Sequence, residues 1–141
     1  LINSTITGNS ADQGGGLYVS WGTTHITNCT ISGNSADKGG GLYNNSGSTA
    51  TVTNTIVAGN TATTAAPDTY GTWTSQGYNL IGQTDGSTGW VSSDLTGTTA
   101  SPLDAMLAPL GNYGGPTQTM ALLPGSPAIN AGTSTGAPTT D

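Results

Sequence analysis

Few residues in this chain carry a group that can do chemistry, and those few set the first limits on function. Seven Asp stand against a single Lys, with one His, one Cys, no Arg and no Glu. Asp12 and Asp37 recur in identical surroundings 25 residues apart, so stacked repeats would hold their carboxylates about 4.8 Å from each other. Such a pair is a candidate for sharing a proton or holding a weakly bound cation, although Lys38 beside it suffices to offset the charge on a solvated turn. A glycoside hydrolase needs two carboxylates on one site, and a lyase working by proton abstraction needs a base and usually Ca²⁺-binding carboxylates. The near absence of basic residues argues against the lyase. Asp68, Asp85, Asp94 and Asp104 are scattered, with no recognisable partner in the sequence.

His25 and Cys29 lie four residues apart, fewer ligands than a metal site requires. We read His25 as an exposed strand residue and Cys29, which has no disulfide partner, as a small buried thiol. Trp21, Trp73 and Trp90 would offer flat surfaces to a sugar if they were exposed, or would plug the core if buried. The triplets Gly14-Gly15-Gly16 and Gly39-Gly40-Gly41 lack the helix start and the Lys-Ser/Thr pair of a phosphate loop. No cofactor is expected. A net charge of −6 leaves no basic groove, which excludes nucleic acid as a partner.

The elements that carry these residues are announced by repetition. Residues 5–18 and 30–43 are identical at twelve of fourteen positions, and a period of 25 to 26 residues rich in Gly, Asn, Thr and Ser predicts a β-solenoid. Asn3, Asn28, Asn54, Asn79, Asp104 and Asn130 continue that spacing, which predicts about six coils with a bend at each of these positions, because Asn and Asp accept left-handed backbone angles. A second turn column is expected at Gly8-Asn9, Gly33-Asn34 and Gly59-Asn60. Each coil should hold three short strands, at His25–Thr27, Cys29–Ser32 and Gly39–Tyr43 and their equivalents, with core stacks of Ile6 on Ile31, Leu17 on Leu42 and Tyr18 on Tyr43.

The organisation expected is regular coils over residues 1–64, divergent coils grading into a C-terminal cap over 65–132, and a polar tail over 133–141. Thr5 and Thr7 become Thr30 and Ser32 and then Ile56 and Ala58, so a flat threonine array of the ice-binding sort does not persist. No apolar run reaches the roughly 20 residues of a membrane span. The sequence opens within a repeat, which predicts a preceding segment.

The stretches GNSADKGGGLYNNSG, TNTIVAGNTA, GYNLIG and PLGNYGGPTQTMALLPGSPAINAG together resemble bacterial secreted parallel β-helix proteins, the polymorphic-outer-membrane-protein-like group with a choice-of-anchor region. Tyr113 departs from the Asn or Asp expected beside Asn112, and the Gln-Arg-Gly-like tail of that group is absent. The resemblance implies a right-handed β-helix, the hand also favoured for parallel crossovers, and an extracellular or cell-surface protein of adhesin-like role with no catalytic set. On these grounds the chain is expected to be a non-enzymatic structural or adhesive module. Its partners would be other copies of itself or a neighbouring segment of a longer chain; a carbohydrate-binding domain is the alternative, followed by a polysaccharide-active enzyme.

Overall fold

A computed structural model describes residues 1–136; of the expected polar tail, residues 137–141 lie outside the described residues. The fold is an all-β parallel solenoid. Its first turn comprises β1 (Thr5–Ile6), β2 (Ser10–Gln13), β3 (Leu17–Val19) and β4 (Gly22–Thr27). The second repeats this as β5 (Thr30–Ile31), β6 (Ser35–Lys38), β7 (Leu42–Asn44) and β8 (Ser48–Thr53). The third follows with β9 (Ile56–Val57), β10 (Thr61–Ala65), β11 (Thr69–Thr72) and β12 (Thr74–Ser75). Each turn thus has four strands where the sequence suggested three. The additional strand, β2 and its equivalents, is the SAD segment, a strand where the sequence suggests a solvated turn.

Above the third turn the coil shortens to β13 (Leu80–Ile81), β14 (Ser87–Thr88) and β15 (Leu95–Thr96). Four sheets result, ordered β1-β5-β9-β13-β15, β2-β6-β10, β3-β7-β11-β14 and β4-β8-β12, and every strand pairing within them is parallel. About three full turns replace the six expected coils. The physical reason lies in the fourth turn, where Leu80 pairs with Leu95 only fifteen residues later, so a count of 25 runs out of register.

The bends show the same slip. Asn3, Asn28 and Asn54 hold left-handed φ values of 48°, 53° and 48°, but the fourth bend residue is Tyr78, at 62°, and not Asn79. Asp104 is likewise not a bend residue; Met106 is, at 49°. Asn130 has a φ of 60° in a turn that stacks on no other rung. In the glycine-run column Ala66 takes the place of Gly39, and with a φ of 56° it keeps the backbone shape of the glycine at 61°.

Alternation along the strands sorts the side chains into an inner and an outer set. Ile26, Ile31, Leu42, Val52, Val57 and Ile81 fill the lumen, with Ile6 and Leu17 packed against them, and Trp73 is buried in the same cluster. Trp73 lies one residue before the Thr74–Thr51 pair, over Ala50, where a bulky indole fills the lumen beneath the shortened turn.

A second apolar cluster lies outside the solenoid. Ile56, Leu80 and Leu95 stack on the outer face of the five-stranded sheet and meet Leu103, Ala105, Leu107 and Ala128. The segment expected to form an end cap therefore runs along the side of the solenoid as a strap. Antiparallel bridges Leu107–Leu122 and Gly111–Thr119 hold it as a narrow hairpin. Its ties to the solenoid span the turns: Leu103 N–H donates to Gly82 O at 3.0 Å, Asn54 exchanges two hydrogen bonds with Thr133, and the Thr119 hydroxyl lies 2.9 Å from that of Thr5 in the first turn.

Candidate functional site

Two polar ladders run through the stacked turns, and their chemistry is set by the rung spacing. Asn9, Asn34 and Asn60 follow the turn glycines Gly8, Gly33 and Gly59, whose φ values of 73°, 70° and 70° turn the chain so that the next side chain points inward. Asn34 Oδ1 accepts both the backbone N–H and the side-chain Nδ2–H of Asn9, each at 3.0 Å. Asn60 Oδ1 does the same for Asn34, and Asn34 Nδ2 also donates to Ile6 O at 3.0 Å. The fourth turn omits the β2-type strand that would supply the next Asn. Asp68 substitutes from an unexpected place, the position in register with Gly41, and its Oδ1 accepts Asn60 N–H at 2.9 Å and Nδ2–H at 3.0 Å.

The second ladder passes through Cys29, Thr55, Asn79 and Asp94. Cys29 N–H donates to Thr55 Oγ1, Thr55 N–H to Asn79 Oδ1, and Asn79 donates through both its nitrogens to Asp94 Oδ1. Asn79, one residue past the bend, is thus an interior ladder residue. Cys29 is buried, its thiol donates to Thr27 O at 3.1 Å, and burial pushes its pKa up. An aspartate ends each ladder because an acceptor without donors suits a rung that has no further residue above it to receive an N–H.

The two terminal carboxylates differ. Asp94 Oδ2 accepts the Val91 N–H at 2.8 Å, whereas Asp68, fully buried, has no hydrogen-bond partner on Oδ2 among the described residues. Burial raises the Asp68 pKa to about 6, against the pull of the Asn60 backbone and side-chain amides and of the Gln83 backbone amide. Asp68 borders a cleft of about 310 Å³ between the third turn and the strap.

Of the remaining residues of chemical interest only Asp12 and Asp37 are brought side by side, flanked by the in-register pairs Ala11–Ala36 and Gln13–Lys38. Asp12 and Asp37 sit on neighbouring exposed strands, and the Thr63 hydroxyl donates to Asp37 Oδ1 at 2.7 Å. His25 is exposed, with Nδ1 2.7 Å from the Thr51 hydroxyl. Among the described residues no three His, Cys, Asp or Glu side chains converge as metal ligands. The tryptophans do not form a platform: Trp73 is buried and donates to Tyr70 O, Trp90 packs against the core and donates to Ser87, and Trp21 is 84% exposed by itself.

Tyr18 and Tyr43 are not core residues as expected, because Leu17 and Leu42 take the inward positions of their strands. They form an outward ladder with Tyr70, with ring centroids 5.1 Å and 4.6 Å apart. Desolvation, then the charges of Tyr70 and Tyr18, raises the Tyr43 phenol above its ordinary pKa. A second cleft, of about 470 Å³, opens where the strap hairpin leaves the first two turns; Ser4, Thr5, Asn28, Thr30, Gln118 and Thr119 border it, and no charged side chain does. Sequence reasoning missed both the strap and the inward Asn ladder. The strap had a visible signal in the change from Thr5 and Thr30 to Ile56 in one outward column.

The model of the Chlamydia polymorphic membrane protein (Chlamydia_PMP) repeat matches residues 3–20 and 28–45. These are the first turn through β3 and the second through β7, so the chain is similar to that repeat in its two most regular turns. No curated protein and no solved structure matches the chain.

Proposed function

We propose that this chain is a non-enzymatic structural or adhesive module of a bacterial cell-surface protein. The observation that carries the reading is the repeat itself: the stretches that match a polymorphic membrane protein repeat hold the stacked columns Ile6–Ile31 and Leu17–Leu42 and the first rungs of the interior ladders, Asn9, Asn34 and Cys29. Selection for such identity serves a rod, since each rung completes the hydrogen bonds of its neighbour. The candidate chemical residues other than the Asp12–Asp37 pair, by contrast, are dispersed over different faces. Regular surfaces of Thr, Ser and Asn with little charge suit contact with other copies, or with neighbouring turns of a longer chain, through unpaired strand edges.

The test is electron microscopy and light scattering of the purified chain at physiological salt, together with adhesion of beads coated with it to host-cell monolayers. Filaments or specific adhesion support the module. Turnover of a polysaccharide by the chain would overturn it.

A second reading, carbohydrate binding, is favoured by the uncharged cleft beside Thr5 and Thr30, whose volume lies in the range of small-ligand sites. It moves the sugar contact away from Trp21, Trp73 and Trp90. A glycan array settles it: retention of a neutral glycan that is lost in Gln118→Ala supports the reading, and an empty array removes it.

A further inference from the structure

Asp68 is fully buried, and its two oxygens are treated unequally. Oδ1 holds two N–H donors from Asn60, while Oδ2 has no hydrogen-bond partner among the described residues, the Gln83 backbone amide acting on the carboxylate without aligning on that oxygen. An ionised oxygen withdrawn from water and left without a partner is costly, and such groups are normally paired or bound to metal. Pairing within the chain is closed off. The cationic groups are Lys38, on the exposed β6 strand, the N-terminal amine, which donates to His25 O at 2.8 Å, and His25 when protonated; none borders the Asp68 cleft. A counter-charge has to come from solution.

The cleft is built to admit one. Oδ2 packs against Gly82, where an added Cβ would lie only 2.5 Å away, so a glycine is needed there for the carboxylate to reach the inner wall of the cleft. Around the same cleft stand Asp104 from the strap, Gln83 and Ser32, oxygen donors without thiol or imidazole, set in an otherwise apolar wall that includes Leu103, Leu107 and Met120. One Asp104 oxygen accepts the Met106 N–H at 2.8 Å, which fixes the carboxylate at the mouth. We propose that this cleft binds a divalent cation, Ca²⁺ by the hardness and irregular arrangement of its oxygen donors, between Asp68 of the third turn and Asp104 of the strap.

Bound there, the ion neutralises the carboxylate that ends the Asn ladder and fastens the strap to the solenoid. Two carboxylates with amide and hydroxyl oxygens give modest affinity, with Kd on the order of 10⁻⁴ to 10⁻³ M, the range of extracellular modules. Ca²⁺ is preferred to Mg²⁺, which demands strict octahedral geometry and retains its waters.

The test is titration of CaCl₂ into the EDTA-treated full chain by isothermal calorimetry, with thermal unfolding followed in parallel. Saturable binding and a Tm that rises with Ca²⁺ are expected, with Asp68→Asn weakening binding at least tenfold and Asp104→Asn weakening it less. Asp68→Asn preserves Oδ1 as the acceptor for Asn60, and its Tm in EDTA should equal or exceed that of the parent, which shows that lost binding is not lost folding. An absence of binding, or unchanged Ca²⁺ affinity in Asp68→Asn, would overturn the proposal. So would loss of binding in Asp37→Asn, which would place the ion on the exposed β2-β6 face.

Discussion

Asn34 and Asn60 each do three things with one side chain: they accept twice from the rung below, donate to the rung above, and satisfy a neighbouring carbonyl. Asn34 is the middle rung and is buried. Asn34→Ala leaves several buried groups unpaired and should cost about 2 to 4 kcal/mol. Asn9→Ala, at the exposed end, should cost less than about 1 kcal/mol. Urea denaturation of the two variants checks this, and equal losses would contradict the ladder. Asp68 gives the opposite kind of effect. Its folded pKa of about 6 lies above the 3.8 of the free group, so the native state binds the proton more tightly. Its contribution therefore favours folding below about pH 4 and is lost as pH rises through about 6, a swing of roughly 3 kcal/mol. In EDTA, Asp68→Asn should flatten that part of the stability curve and be the more stable protein at pH 7.

Among the elements, the strap is the one whose removal has the sharpest consequence. It covers Ile56, Leu80 and Leu95, an apolar column on what is otherwise a polar face. Truncation after Thr96 would bare that column beside parallel strands, a surface that promotes association. The truncated chain should aggregate in light scattering, and the triple change Ile56→Thr, Leu80→Thr and Leu95→Thr should restore a soluble species, because it extends upward the Thr5 and Thr30 already present in that column. Aggregation that persists in the triple variant would mean that the strap protects something else. Trp73 plays the corresponding part inside. Trp73→Ala should lower stability by about 3 to 5 kcal/mol, measured by urea denaturation, since removing the buried indole leaves a cavity in the packed lumen cluster.

For the whole molecule, the scarcity of basic residues and the continuity of the ladders should appear as resistance to trypsin. Lys38 is the only site for trypsin, and its side chain is exposed. Its peptide bond is nevertheless held on both sides, with Lys38 O accepting Gly14 N–H at 3.1 Å and Gly39 N–H donating to Ala65 O at 3.2 Å. Cleavage needs an extended, unpaired segment, so it should follow the opening of neighbouring turns together. Trypsin should cut at a rate that rises with urea in step with unfolding; rapid cutting in buffer would show that the turns separate locally.

What the sequence determined by itself is what repeats. Two copies identical at twelve of fourteen positions force identical backbones to stack, and stacking at strand spacing fixes the Ile6–Ile31 and Leu17–Leu42 columns and the bends at Asn3, Asn28 and Asn54. Identity between copies cannot reveal which way a side chain points, so it does not tell that Tyr18 and Tyr43 face outward or that Asn34, in its turn, points its side chain into the interior. Where the copies diverge, periodicity loses its hold: the fifteen-residue step from Leu80 to Leu95 has no counterpart to align with, and Asn79, Asp104 and Asn130 fell out of the count. Only the tertiary structure decided the strap and the ends of the ladders. Both depend on pairings that no repeat spacing announces, Thr5 with Thr119 and Asn60 with Asp68 from an unlike position, meeting because a finished stack leaves an apolar outer column to cover and a last pair of N–H groups to satisfy.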